Sequence, residues 1–158
     1  MSFFKKSITT LAATTILASC GAESSSSLLE DPSTVAVTIK SVETKEDRGG
    51  QTCLAVFNSP EGFPDEEGAS IFEKCYPVAD VIAGVDVSLP AAGEYAFSIF
   101  HDQNEDGTLN TSGPFGIPSE GFGFSNNPGL KIGAPDYEET AVNVEDGTTV
   151  EIKFIYIR

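Results

Sequence analysis

Asp102, Asn104 and Asp106 stand at alternate positions in the stretch HDQNEDGTLN, residues 101–110, and Gly107 follows them. Side-chain oxygens at the first, third and fifth places, a glycine at the sixth and a backbone carbonyl at the seventh open a calcium loop. Thr108 takes the seventh place here, Asn110 the ninth, and Leu109 is the apolar residue that would pin the loop to a core. The twelfth place, where a bidentate glutamate closes the shell, holds Gly113. The stretch is therefore not an EF-hand, and any completing carboxylate must come from elsewhere. Glu120, Asp136 and Glu138 are the candidates. Such a shell would bind calcium weakly, at about millimolar concentration. The same residues also suit a turn in which Asp and Asn side chains accept hydrogen bonds from nearby backbone and Gly107 supplies a positive φ. Both readings stay open at this point.

His101 is the only histidine, directly before Asp102. A His–Asp pair can be half of an acid–base set. No nucleophile motif accompanies it, since GFGFSNN at 121–127 is not a G-x-S-x-G elbow. His101 reads better as a residue that orients the loop by a hydrogen bond, and no catalytic residue is assigned. The alternative is a small periplasmic enzyme using His101, Asp102 and Glu120. Phe122, Phe124, Asn126 and Asn127 crowd the next stretch. They either plug a long loop onto the core, with the asparagines in left-handed turns, or line a binding pocket.

These residues need a scaffold, and the periodicity around them is that of strands. TVAVTIKSV at 34–42 puts Val35, Val37 and Ile39 on one face, TCLAVFN at 52–58 is β-branched and aromatic, and VDVSL at 85–89 alternates. GEYAFSIFHD at 93–102 alternates Tyr95, Phe97 and Ile99 against Glu94, Ala96 and Ser98. SIFEKCYPV at 70–78 fits a short strand or a helical turn. TAVNV and TVEIKFIYI, joined by EDGT, are expected to form a hairpin. No segment after residue 30 has a convincing helical period. About seven short strands then predict an all-β, antiparallel, two-layer sandwich with one long functional loop, rich in Gly, Pro and Asn, over 102–136.

The segments GEYAFSIFHDQNEDGTLN, FGIPSEGFGFSNN and GAPDYEETAVNV stand in this order. Together they resemble the bacterial secreted family catalogued as domain-of-unknown-function family 2141. The matching residues run from Gly93, Tyr95, His101 and Asp102 through Gly107 and Leu109 to Gly116, Pro118, Glu120 to Asn127, and Gly133, Pro135 and Tyr137. The resemblance spans about residues 34–157 and implies a sandwich of immunoglobulin or prealbumin type, with no established activity. The cysteine pair and the acidic 61–67 loop depart from the family's pattern.

The N-terminus points to export. Lys5 and Lys6 precede the uncharged run Ile8–Ala18, which is too short to span a bilayer permanently. Leu17-Ala18-Ser19-Cys20 matches the bacterial lipobox, which implies cleavage before Cys20 and acylation of it, palmitate among the chains. Gly21 in place of an aspartate leans towards the outer membrane. The expected domains are a signal peptide at 1–19, a lipidated cysteine and serine-rich tether at 20–33, and the sandwich at 34–158.

Cleavage leaves 139 residues with 7 basic and 24 acidic side chains, a net charge of −17. So acidic a body repels nucleic acid and anionic lipid and attracts cations such as calcium. With Cys20 lipidated, Cys53 and Cys75 remain as a pair, which in an exported chain points to one disulfide, the alternative being two buried thiols. Closing that loop would contribute roughly 3 kcal/mol. The resulting expectation is a lipid-anchored, non-enzymatic envelope module, either structural or one whose long loop binds an envelope protein or a glycan.

Overall fold

The computed structural model describes residues 34–157. The expected signal peptide, Cys20 and tether lie outside them. The described chain is all-β with two short helices, and its strands form two principal sheets. In the first, β1 (Val35–Val42) lies between β4 (Val85–Leu89) and β10 (Thr148–Lys153). The second runs in the order β3 (Phe72–Pro77), β2 (Gln51–Phe57), β5 (Gly93–Asp102), β8 (Gly121–Phe124). The far edge of β5 is shared: β8 pairs with Ser98–His101 and β9 (Val142–Val144) with Gly93–Tyr95. A small ribbon of β6 (Thr111–Ser112) and β7 (Ile117–Pro118) stands apart.

The period of two places the core. Val35, Val37 and Ile39 of β1, Val85, Val87 and Leu89 of β4, and Val150 and Ile152 of β10 point inward. They meet Leu54 and Val56 of β2 and Tyr95, Phe97 and Ile99 of β5. A second, smaller cluster lies on the opposite face of β2 and β5. There Phe57 and Ala96 are covered by Phe63 from the 58–71 segment and by Tyr137 of α2 (Tyr137–Thr140). This second cover explains why Ala96, on the nominally polar side of its strand, is fully buried.

Three expectations need correction. β9 and β10 do not form a hairpin: β9 joins the second sheet and β10 the first, so EDGT is an arch between layers. The turn itself is real, with Thr148 N–H donating to the Glu145 carbonyl at 3.1 Å. It is docked on the start of β1, where Gly147 N–H bonds the Ala36 carbonyl and Ala36 N–H bonds Asp146 Oδ1, both at 2.9 Å. Second, β1 and β10 run parallel, so the sandwich is not wholly antiparallel. Third, 70–78 holds the expected short strand, β3, but a helix that no period announces follows it: α1 (Val78–Ala83), which buries Val78 and Val81.

The segment 102–136 is also less loop than its composition indicates. Gly121–Phe124 is a strand, and its alternation of glycine and phenylalanine is the reason. A Cβ at Gly121 would sit 2.3 Å from the Tyr156 ring, and one at Gly123 would sit 2.5 Å from the Lys153 carbonyl oxygen. Only glycine lets β8 lie this close to the C-terminal chain. That chain crosses between layers here: Phe154 N–H bonds the Val42 carbonyl, and Ile155 then exchanges both backbone bonds with Phe122.

Candidate functional site

β5 carries the site on its last two residues, and alternation aims them apart. His101 points into the sandwich and Asp102 towards the outer face, and both are fully buried. His101 Nε2 lies 2.6 Å from the Gly49 carbonyl oxygen. A carbonyl only accepts, so Nε2 carries a proton, and in that tautomer of the ring Nδ1 accepts from the Tyr156 hydroxyl at 2.8 Å. Tyr156 in turn accepts the Lys45 N–H at 3.1 Å. Burial pushes the Tyr156 hydroxyl above its ordinary pKa, opposed by the Lys45 bond and the Arg48 charge. The chain of bonds ties the 43–50 turn to the C-terminus. His101 thus holds the neighbouring 43–50 turn and not, as expected from its place beside Asp102, its own loop. Tyr156→Phe is expected to cost about 1–2 kcal/mol, because it orphans Nδ1 and the Lys45 N–H; urea unfolding would measure it.

Asp102 organises the acidic turn. Its Oδ2 accepts from Gly107 N–H at 2.8 Å and from Gln51 Nε2 at 2.9 Å, and its Oδ1 accepts from Asp106 N–H at 3.1 Å. Glu120, also buried, spans the loop's two ends. Its Oε1 accepts Gln103 N–H at 2.8 Å and its Oε2 accepts Asn110 N–H at 2.9 Å. Asp106 lies outside, exposed, where Asn104 Nδ2 and Asn110 Nδ2 donate to Oδ2 at 2.8 and 3.0 Å. Thr108 N–H donates to Asp106 Oδ1 at 2.9 Å. These bonds, those from Asn110 and Asn104 foremost, hold the Asp106 carboxyl below its ordinary pKa. Gly107, at φ 76°, turns its N–H back towards Asp102.

Of the candidate shell residues, Glu120 is brought to the loop. Asp136 and Glu138 are not. They sit at the start of α2, Asp136 as its N-cap and Glu138 in its first turn, and the Tyr137 hydroxyl donates to the Glu94 carbonyl near the start of β5. Asp102 is eight residues further along that strand, about 26 Å away at 3.3 Å per residue. Asp136 caps α2, accepting the Glu139 N–H while the Glu139 carboxylate accepts from Asp136 N–H. Among the described residues, no group of three or more His, Cys, Asp or Glu side chains is placed to hold a metal ion.

Asn126 and Asn127 adopt φ of 59° and 48°, the left-handed turns their type allows. Asn127 also reaches the free edge of β10, donating to the Glu151 carbonyl at 3.0 Å and accepting Lys153 N–H at 2.8 Å. It stands in for a missing strand and blunts that edge. Phe122 and Phe124 are half-buried on the outer face; Phe124, Pro128, Leu130 and Ile155 border a shallow cavity of about 340 Å³. Ser125 escaped sequence reading. It is fully buried, accepts Phe97 N–H at 2.9 Å and donates to the Thr140 carbonyl at 2.6 Å. Ser125→Ala should cost about 1–2 kcal/mol in the same unfolding assay. Cys53 and Cys75 form the expected disulfide, directly across β2 and β3.

The family comparison agrees with the sequence motifs. The family model described as an uncharacterised protein conserved in bacteria, DUF2141, matches residues 37–153. No curated protein and no solved structure matches the chain.

Proposed function

The chain belongs to the DUF2141 family, and we propose that it is a lipid-anchored, non-enzymatic module of the bacterial cell envelope whose 102–136 segment is a recognition surface. One observation carries the recognition reading. Of the six exposed large apolar side chains among the described residues, four lie in this segment: Phe115, Ile117, Leu130 and Ile132, at 86, 43, 61 and 107 % exposure. They ride on a segment whose entry and ribbon base are clamped by Asp102 and Glu120. An exposed aromatic on a pre-ordered loop is a binding feature, because little ordering entropy is lost on contact. The enzymatic alternative is weaker: His101, Asp102 and Glu120 are all buried and hydrogen-bonded into the framework, and His101 and Asp102 point to opposite faces of the sheet.

The partner is an envelope protein or a glycan, and the anchor is the acylated Cys20, in the outer membrane. Two experiments test this. Radiolabelled palmitate should enter the wild-type chain and not Cys20→Ser. A photo-crosslinking residue at Phe115, compared in cells with one at Thr149 on the exposed face of β10, should give a discrete adduct only at 115. Equal yields at the two positions would sink the recognition reading.

A second reading rests on the convergence of Asn104 and Asn110 upon the ionised Asp106. Turning both amides over would present three oxygens, of Asn104, Asn110 and Asp106, to a weakly held calcium ion. The melting temperature of the full chain should then rise at several millimolar calcium, and the rise should vanish in Asp106→Ala. No rise in the wild type disposes of this reading.

A further inference from the structure

One row of residues crosses the outer face of the second sheet in register: Phe122 on β8, Phe100 on β5, Cys53 on β2 and Cys75 on β3. The two sulfurs of the disulfide therefore meet very different surroundings. Cys53 lies inside the row, 6 % exposed, with Phe100 beside it. Cys75 is exposed, on an edge strand whose other side pairs with no strand among the described residues.

Thiol–disulfide exchange is a displacement at sulfur in which the attacking thiolate approaches along the S–S axis, opposite the sulfur that leaves. This axis joins β2 to β3. Approach to Cys75 comes from beyond the open edge, over solvent. Approach to Cys53 comes from the β5 side, where the half-buried Phe100 ring stands. We propose that Cys75 Sγ is a site of thiol–disulfide exchange, taking a small thiol or dithiol of the envelope as co-reactant. The incoming thiolate forms a bond to Cys75 Sγ. The Cys53–Cys75 bond breaks, and its electron pair leaves on Cys53, which takes a proton from water. With a dithiol, its second thiolate then attacks its own mixed-disulfide sulfur and releases Cys75 as thiolate. The dithiol is oxidised by two electrons and the cysteine pair is reduced by two. This inference rests on sheet register and exposure, and stands apart from the recognition reading.

The test uses the folded, oxidised full chain and reduced glutathione without denaturant, quenched early with acid and alkylated. Trypsin cleaves after Lys74 and so separates Cys53, in the peptide 49–74, from Cys75, in 75–131. Glutathione is expected on the Cys75 peptide in about tenfold excess over the Cys53 peptide, following access to the two sulfurs. Phe100→Ala should narrow that split by opening the second approach. An even or reversed split in the wild type, a split unmoved by Phe100→Ala, or no adduct until urea is added would each overturn the assignment.

Discussion

Asp102→Ala is expected to destabilise the chain by about 2–4 kcal/mol, since removing the buried carboxylate takes the acceptor from the Gly107 N–H and the Gln51 amide and leaves the Asp106 N–H only its longer bond to Asn104 Oδ1 at 3.4 Å. A part-buried donor that loses a charged acceptor costs about 1–3 kcal/mol, and the Gly107 N–H is a backbone group that cannot turn elsewhere. Asp102→Asn keeps one oxygen of the same shape and should lose about half as much. Asn104→Ala, which removes only exposed partners of Asp106, should stay within about 1 kcal/mol. Urea midpoints at constant slope would rank the three. An Asp102→Ala chain as stable as Asn104→Ala would mean that the carboxylate does not organise the turn.

Gly123→Ala should be nearly as damaging, at about 3 kcal/mol. The added methyl would lie 2.5 Å from the Lys153 carbonyl oxygen and 2.9 Å from Ile152 Cγ2. The first of these is backbone, so β8 or the crossing chain must shift, and the Phe122–Ile155 bridge goes with it. Gly93→Ala is the matched control: its methyl meets nothing closer than 3.8 Å, and its change should stay within about 0.5 kcal/mol. Comparable losses at both positions would show that strand propensity, and not the close approach, sets the cost.

Much of the sandwich is legible because a two-residue period leaves little choice of face. The alternations in β1, β4 and β5 all point as their sequences read. What could not be read is what depends on partners distant in the chain. Nothing local to EDGT says that its two strands go to different sheets; that follows from the docking of Asp146 and Gly147 on Ala36. Strand β8 was hidden because glycine ordinarily disfavours strands, and only the position of Tyr156 and Lys153 makes it necessary. The acidic turn is half legible. Its residues name the oxygens and the positive-φ glycine, and Glu120 is among the candidate partners. That Glu120 binds two backbone N–H groups, and that Asp136 caps a helix at the other end of β5, needed the fold. Ser125, a small polar residue between Phe124 and Asn126, carries no signal of its own.

The proposed recognition surface depends most on one property: the 102–120 stretch is held by its own buried carboxylates. Amide hydrogen exchange on the full chain, residue by residue and in chelator, measures this directly. Gln103, Asp106, Gly107 and Asn110 N–H should be protected to nearly the level of β5, because each donates to Asp102 or Glu120. Glu105 N–H, which has no such acceptor, should exchange fast. Rapid exchange at all five, with protection appearing only on adding calcium, would contradict a self-held platform and make the ion the organiser of the loop.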